Sequence, residues 1–201
     1  MKSDVAYKRQ IKNHQVSGFS RGFKQGIPVA LGYIPVSFTF GLMAVKGGIP
    51  ILTAILISMT NVTSAGQFAG VNLIIQGASL MEIAFTSLIV NLRYMLMSLS
   101  ISQKLSPHIS AIEKYLIAFG ITDEVFAISS MEKGELSFSY MMGLISCPYF
   151  GWALGTALGA FTSSLLPPIL QNSMGIALYG MFIAIVVPAV KESKAALIVA
   201  A

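Results

Sequence analysis

The chain has 201 residues, of which 55% are hydrophobic and 10% charged, and its mean hydropathy is +0.75. A soluble domain averages about 25% charged residues, so this composition excludes an ordinary soluble domain and predicts an all-α polytopic membrane protein. The formal net charge of +5 is unevenly distributed, because six of the 13 basic side chains precede the first apolar run.

This basic stretch is predicted to be a cytosolic N-terminal tail covering residues 1–25, since basic residues flank membrane helices on the cytosolic side. Nucleic-acid binding is the alternative interpretation, but the tail is short and has few aromatic residues. Residues 26–201 are predicted to form a single transmembrane helical domain. Their apolar runs do not alternate with polar residues as the strands of a membrane barrel would.

Six membrane segments are predicted in chain order. They cover about residues 27–45, 51–75, 80–102, 109–130, 138–161 and 174–190. If all six cross, nine basic residues lie on the cytosolic side and three outside, whereas a re-entrant second segment gives eight and four, so full crossing is favoured. The closing AALIVAA is too short to span a bilayer, and we expect it to begin a truncated seventh helix.

The second segment contains the polar stretch SMTNVTSAGQFAG. The amides of Asn61 and Gln67 need partners there. An opening of the helix at Ser64, Ala65 and Gly66 would present a half-helix N-terminus, which can bind the carboxylate of an amino acid. A continuous helix with interhelical hydrogen bonds is the other interpretation, and both remain open. Candidate substrate-binding residues in this segment are Asn61, Ser64, Gly66 and Gln67.

The third segment contains SLIVNLRYMLMSLS, with Asn91 and Arg93 near its middle. An arginine at the centre of a bilayer costs about 2.5 to 3.5 kcal/mol on insertion scales. Arg93 therefore requires an acidic partner or an anionic ligand, and its planar fork suits a carboxylate. Asn91 points to nearly the opposite side of the helix, which predicts that protein or a water-filled cavity surrounds this segment. Asn91 and Arg93 are further candidate substrate-binding residues.

The fourth segment contains GITDEVF, in which Asp123 and Glu124 are adjacent. One of these acids could neutralise Arg93 while the other takes up and releases a proton. We predict that Asp123 pairs with Arg93 and that Glu124 carries the proton. The alternative is that both acids are simply solvated at a membrane interface.

In the fifth segment, GWALGTALG places Gly151, Gly155 and Gly159 on one helix face. Small residues at intervals of four allow another helix to approach closely, either within the chain or in a second subunit. The sequence contains no recognisable metal-binding cluster, cofactor motif or nucleophile–base pair. An enzyme is therefore the least expected class, and neither a cofactor nor a metal is predicted.

Three motifs, SAGQFAG, NLRY and TDEVF, together resemble the azaleucine-resistance (AzlC-type) family of branched-chain amino acid permeases. The resemblance implies a proton-driven exporter of branched-chain and similar amino acids in the inner membrane, acting with a small hydrophobic AzlD-type membrane subunit. The residues that match the family's polar pattern are Gly66, Gln67, Asn91, Arg93, Asp123 and Glu124. Tyr94 departs from it, because many relatives have histidine there. A channel subunit and a non-transporting assembly subunit are the alternatives.

Overall fold

The computed structural model describes residues 2–163, with side chains described from Gly18 onward. Its helices are α1 (Lys2–Lys46), α2 (Ile51–Thr60), α3 (Ala65–Ile75), α4 (Leu80–Ser102), α5 (Ala111–Phe119), α6 (Asp123–Met131) and α7 (Phe138–Thr162). The described part is thus all-helical, as predicted. The Gly18–Lys46 part of α1, the whole of α4 and the whole of α7 are long and apolar enough to cross a membrane. The predicted sixth segment and the closing AALIVAA lie outside the described residues.

Helices α1 and α7 run parallel and touch through their backbones. A β carbon added to Gly22 would overlap the carbonyl of Tyr140, and one added to Gly41 would overlap that of Thr156. Both contact positions advance in the same direction along the two helices, which makes the pair parallel. The missing side chains allow this approach, as small residues do at membrane helix interfaces.

The glycine face predicted in the fifth segment lies against α1. Added β carbons at Gly151, Gly155 and Gly159 would all meet atoms of α1. Among the residues with described side chains, the close contact with α7 already includes Gly18, about nine residues before the predicted start of the first segment. Hydropathy alone places the start of the segment later, because charged residues lower the average upstream of it. The glycine spacing nevertheless continues into that upstream region.

We expect Gly159→Ala to destabilise the protein, because the new methyl group would overlap the carbonyl group of Phe38. Overpacking of this kind costs about 1 to 3 kcal/mol. Gly32→Ala is the matched control, since Gly32 lies on the same helix pair with no atom close to an added β carbon. The measurement is the thermal unfolding temperature in detergent. Equal melting of the two variants would contradict the backbone contact.

The predicted second segment is not one continuous helix. It is a hairpin of two half-helices, α2 and α3, which we call the first hairpin. Gly47, just after α1, lies against the Ile75 side chain at the end of α3, so the hairpin returns to the end where it began. Its tip packs through Val62 on Tyr33 and Trp152, near the middles of α1 and α7. Each arm is about 15 Å long, half of a bilayer core.

The predicted fourth segment is a second hairpin, formed by α5 and α6, that enters from the opposite end. Lys104 follows α4 directly, and its amino group donates to the carbonyls of Ser130 (2.7 Å) and Glu132 (2.9 Å). These two carbonyls flank the last residue of α6. The backbone N–H of Leu136 also donates to the carbonyl of Lys104 (2.8 Å). Entry and exit of this hairpin are therefore adjacent, and its tip at residues 120–122 points inward.

The prediction that all six segments cross is thus not confirmed, because the second and fourth are hairpins and not single helices. Each is interrupted at mid-length by residues that end one helix and begin another. In the first hairpin, Ser64 has a left-handed φ of 47° immediately before α3. In the second hairpin, Gly120 ends α5, and the Thr122 hydroxyl accepts from the Val125 N–H at the start of α6. Neither half of a segment is long enough to span a bilayer.

Candidate functional site

The two hairpin tips meet near the midpoints of α1 and α7 and enclose a small cavity. Its volume is about 10 Å³. All parts of the described fold contribute to its lining, through Tyr33 (α1), Val62 and Ser64 (first hairpin), Tyr94 (α4), Thr122, Asp123 and Glu124 (second hairpin) and Trp152 (α7). A volume of this size holds about one water molecule, so the centre is closed in this conformation.

An ion pair lies beside the cavity. Arg93 Nη1 is 3.0 Å from Asp123 Oδ2. The guanidinium lies over the ring of Tyr94, 5.1 Å from its centroid, and Nη2 donates to the Tyr94 hydroxyl (3.4 Å). The structure therefore brings together the arginine and the acid that sequence reasoning paired, and it does so through the tip of the second hairpin.

Glu124 has a different environment. The Tyr33 hydroxyl donates to its carboxylate and also lies 2.8 Å from the Thr122 hydroxyl. No lysine or arginine within the described part of the chain lies within 4 Å of Glu124. The two adjacent acids therefore differ in their partners, because Asp123 pairs with a cation and Glu124 accepts from the hydroxyl of Tyr33.

Two half-helix N-termini converge on this centre. Helix α3 begins at Ala65, directly after Ser64, and Asp123 and Glu124 form the first turn of α6. Of the two interpretations left open for the second segment, the structure has the broken helix. A helix N-terminus carries roughly half a positive charge, which favours the two carboxylates and any anionic group placed between the tips.

Gln67 belongs to a buried network behind the cavity. The Trp152 indole N–H donates to Gln67 Oε1 (3.0 Å), and Gln67 Nε2 donates to the Ser58 hydroxyl (2.6 Å). The hydroxyls of Ser58 and Thr156 are 2.7 Å apart. All four side chains are at most 1% exposed. Both ends of the Gln67 amide are thus occupied, and they connect the two arms of the first hairpin to α7.

The other predicted polar residues lie around the tips rather than in the cavity lining. Asn61 accepts a hydrogen bond from the Thr63 hydroxyl (2.7 Å) inside the break. Gly66 lies against the Asn91 amide, and a β carbon there would overlap it. Asn91 and Gly66 therefore form a close contact between α3 and α4.

Three buried side-chain atoms have no hydrogen-bond partner among the described residues, namely Ser64 Oγ, Asn91 Oδ1 and Arg93 Nε. Buried polar groups are nearly always paired, so unpaired ones indicate a missing partner such as a ligand or a water. Ser64 and Arg93 offer donors, whereas the Asn91 atom is an acceptor. The two donors suit a carboxylate.

Sequence reasoning missed Tyr33, Val62, Thr122 and Trp152. Aromatic and aliphatic residues inside apolar runs look like packing residues, so Tyr33, Val62 and Trp152 carried no signal. Thr122 did carry one, because a threonine followed directly by two acids is typical of a helix start.

The outer face of α4 is uncovered in the described structure. No part of its 18-residue apolar core is buried, and Leu88, Leu92 and Met95 are exposed. The side chains of Arg93 and Asp123 are 37% and 31% exposed. The prediction was that protein or a water-filled cavity surrounds this segment, and residues 18–163 alone do not supply the surrounding protein.

Comparison with known proteins places these features in a family. The AzlC protein family profile matches residues 28–166. An uncharacterized membrane protein of Archaeoglobus fulgidus is 35% identical over 178 residues, covering 86% of this chain and 76% of the relative. The inner membrane protein YgaZ of Escherichia coli is 28% identical over 190 residues (91% and 78%), and the branched-chain amino acid transport protein AzlC of Bacillus subtilis is 23% identical over 155 residues (74% and 59%). No solved structure shows a significant match.

Proposed function

This chain belongs to the AzlC family of membrane transport proteins, and from that premise we propose that it is a secondary transporter exporting branched-chain and similar apolar amino acids across the inner membrane. The observation that carries the proposal is the meeting of two half-helix hairpins, from opposite ends, at a closed polar centre. A transporter requires a central site that opens to one side at a time. A closed centre with room for about one water argues against the alternative of a permanently open channel.

The central cavity is the proposed substrate site in its closed form. The carboxylate of the amino acid would accept hydrogen bonds from the Ser64 hydroxyl and Arg93 Nε, the two unpaired donors, beside the N-terminus of α3. An aliphatic side chain would pack against Val62 and Trp152, which line the same cavity. Under this proposal Asn61, Gly66, Gln67 and Asn91 shape the tips and do not touch the substrate.

The positions of the basic residues support a cytosolic N-terminus. One end of the described structure holds Arg21, Lys24, Lys104, Lys114 and Lys133, and the opposite end holds Lys46. Together with the four basic residues before Gly18, the ratio is nine to one. For six crossings the same ten residues would divide seven to three, so the asymmetry is larger here, and positive charge concentrates on the cytosolic side. The second hairpin then enters from the cytosol and the first from the other side.

The uncovered face of α4 is the proposed docking surface for an AzlD-type subunit. A charged pair near mid-membrane is costly against lipid. Because Arg93 and Asp123 are about one-third exposed there, a second polypeptide would remove that cost by covering them. Proton coupling is proposed through Glu124.

The test is export from cells loaded with radiolabelled amino acids, with and without the protein and a co-expressed small subunit. We expect saturable export of leucine, valine and methionine that stops when the proton gradient is collapsed. Lysine and glutamate should be retained, because the apolar wall of the cavity has no partner for a second charge. Equal export of leucine and lysine would contradict the proposal, and an ionic current without saturation would favour a channel.

A further inference from the structure

The charges at the hairpin tips do not balance. The described charged residues of this centre are one cation, Arg93, and two acids, Asp123 and Glu124. Arg93 is already paired with Asp123 at 3.0 Å, which leaves Glu124 with the Tyr33 hydroxyl as its partner among the described residues. An ionised and unpaired carboxylate is unfavourable in the middle of a membrane. In the closed form, Glu124 must therefore hold a proton or face a cationic group.

An amino acid supplies such a group. Its carboxylate has candidate donors in Ser64 and Arg93, but its ammonium group needs an acid. Asp123 is engaged by Arg93, whereas Glu124 lines the same cavity without a cation. Resting on the proposed function, we propose that the Glu124 carboxylate binds either the ammonium group of the substrate or the coupling proton, and never both.

The neighbours of Glu124 are compatible with this exchange. Tyr33 comes from α1, Tyr94 and Arg93 from α4, Asp123 and Thr122 from its own hairpin, and Val62, Ser64 and Trp152 from the first hairpin and α7. No second cation is among them to neutralise Glu124 permanently. The Tyr33 hydroxyl can donate to the ionised carboxylate and can accept from the protonated acid.

The cycle balances as follows in protons and charge. The ionised Glu124 carboxylate binds the substrate ammonium group, and after the amino acid leaves, the carboxylate takes a proton from the water on that side. The neutral acid can be enclosed again with only the Arg93–Asp123 pair beside it. The proton is released on the other side before the next ammonium group binds. One proton therefore enters for each amino acid exported, and each turnover moves one positive charge inward.

Two fragments of the substrate allow binding of the ammonium group and binding of the carboxylate to be measured separately. Leucinol carries the ammonium group without the carboxylate, and 4-methylpentanoate carries the carboxylate without the ammonium group. The chain contains a single tryptophan, and it lines the cavity, so the fluorescence of Trp152 in the purified protein reports occupancy without requiring transport.

We expect protons to compete with leucinol alone. Where falling pH brings protons into competition with leucinol for this carboxylate, the dissociation constant of leucinol should rise by about tenfold for each pH unit, as for one exchanged proton. The dissociation constant of 4-methylpentanoate, expressed per concentration of its ionised form, should not rise. Glu124→Gln should bind leucinol weakly and independently of pH, and the matched control Glu135→Gln, an exposed acid between α6 and α7, should behave like the wild type.

Leucinol binding that is absent, or independent of pH in the wild type, would overturn the proposal. If Glu124→Gln fails to fold, the contrast between the two fragments in the wild type decides by itself. Failure of the proposed function would be recognised separately, as a lack of leucine export from loaded cells, since fluorescence measures binding only.

Discussion

Replacing Arg93 with lysine is expected to reduce transport by about a hundredfold while leaving the protein folded. Lysine keeps the positive charge and can still pair with Asp123, so the charge balance of the membrane interior is unchanged. Lysine lacks the planar fork through which Arg93 contacts Asp123 and Tyr94. It also lacks the Nε donor that is unpaired in Arg93. Displacing a positioned group by about 1 Å is enough for a hundredfold loss.

The measurement is the initial rate of leucine export divided by the amount of protein in the membrane. Arg21→Lys is the matched control, because Arg21 also pairs with an acid, Glu132 at 2.7 Å, but is 61% exposed and lies at the membrane end. We expect this control to transport like the wild type. Wild-type export by Arg93→Lys would show that Arg93 supplies charge alone and does not orient the substrate.

The third and fifth segments were predictable because each is a continuous apolar run bounded by helix-start and loop residues. The predicted 80–102 coincides with α4, and 138–161 differs from α7 by one residue. The second and fourth segments contain enough apolar residues to look like spans. A hydropathy window averages composition and does not register that the chain reverses direction at residues 61–64 and 120–122.

The polar residues at these reversals indicate a break in the helix, which the average composition does not. Ser64 and Gly66 indicated that a helix could open, and that is where α3 begins. The threonine before Asp123 and Glu124 indicated a helix start in the fourth segment as well. The basic residues could have decided the matter, since the asymmetry between the two ends becomes nine to one only if both segments are re-entrant.

The pairing of Arg93 with Asp123 could be anticipated because a buried cation requires an acid and few acids are available. The position of Gln67 in the fold could not be anticipated from the sequence. Its amide was correctly expected to need partners, but these partners, Trp152 and Ser58, lie 85 and nine residues away in the sequence. The fold brings them together only when the first hairpin closes against α7. Whether a polar side chain faces the substrate or supports the backbone therefore depends on tertiary contacts.

Replacing Asp123 with asparagine is expected to destabilise the protein and to lower its amount in the membrane. The change leaves the Arg93 guanidinium without its acid near mid-membrane, where an uncompensated arginine costs about 2.5 to 3.5 kcal/mol. Adding Arg93→Gln should restore much of the stability, because the cation is then removed as well. The double variant should remain inactive in transport. The measurements are the amount of folded protein and its unfolding temperature in detergent.

Glu132→Gln with Arg21→Gln provides the matched control cycle. That pair is also close, but its arginine is 61% exposed at the membrane end, and ion pairs with an exposed member of this kind contribute about 0 to 1 kcal/mol. The coupling between the two substitutions should therefore be large for Arg93 and Asp123 and small for Arg21 and Glu132. A stable Asp123→Asn variant, or equal coupling in the two cycles, would mean that water or a second subunit solvates Arg93 well enough to replace its acid. The ion pair would then be a feature of the closed conformation alone, and Asp123 would be free to bind the substrate ammonium group in place of Glu124.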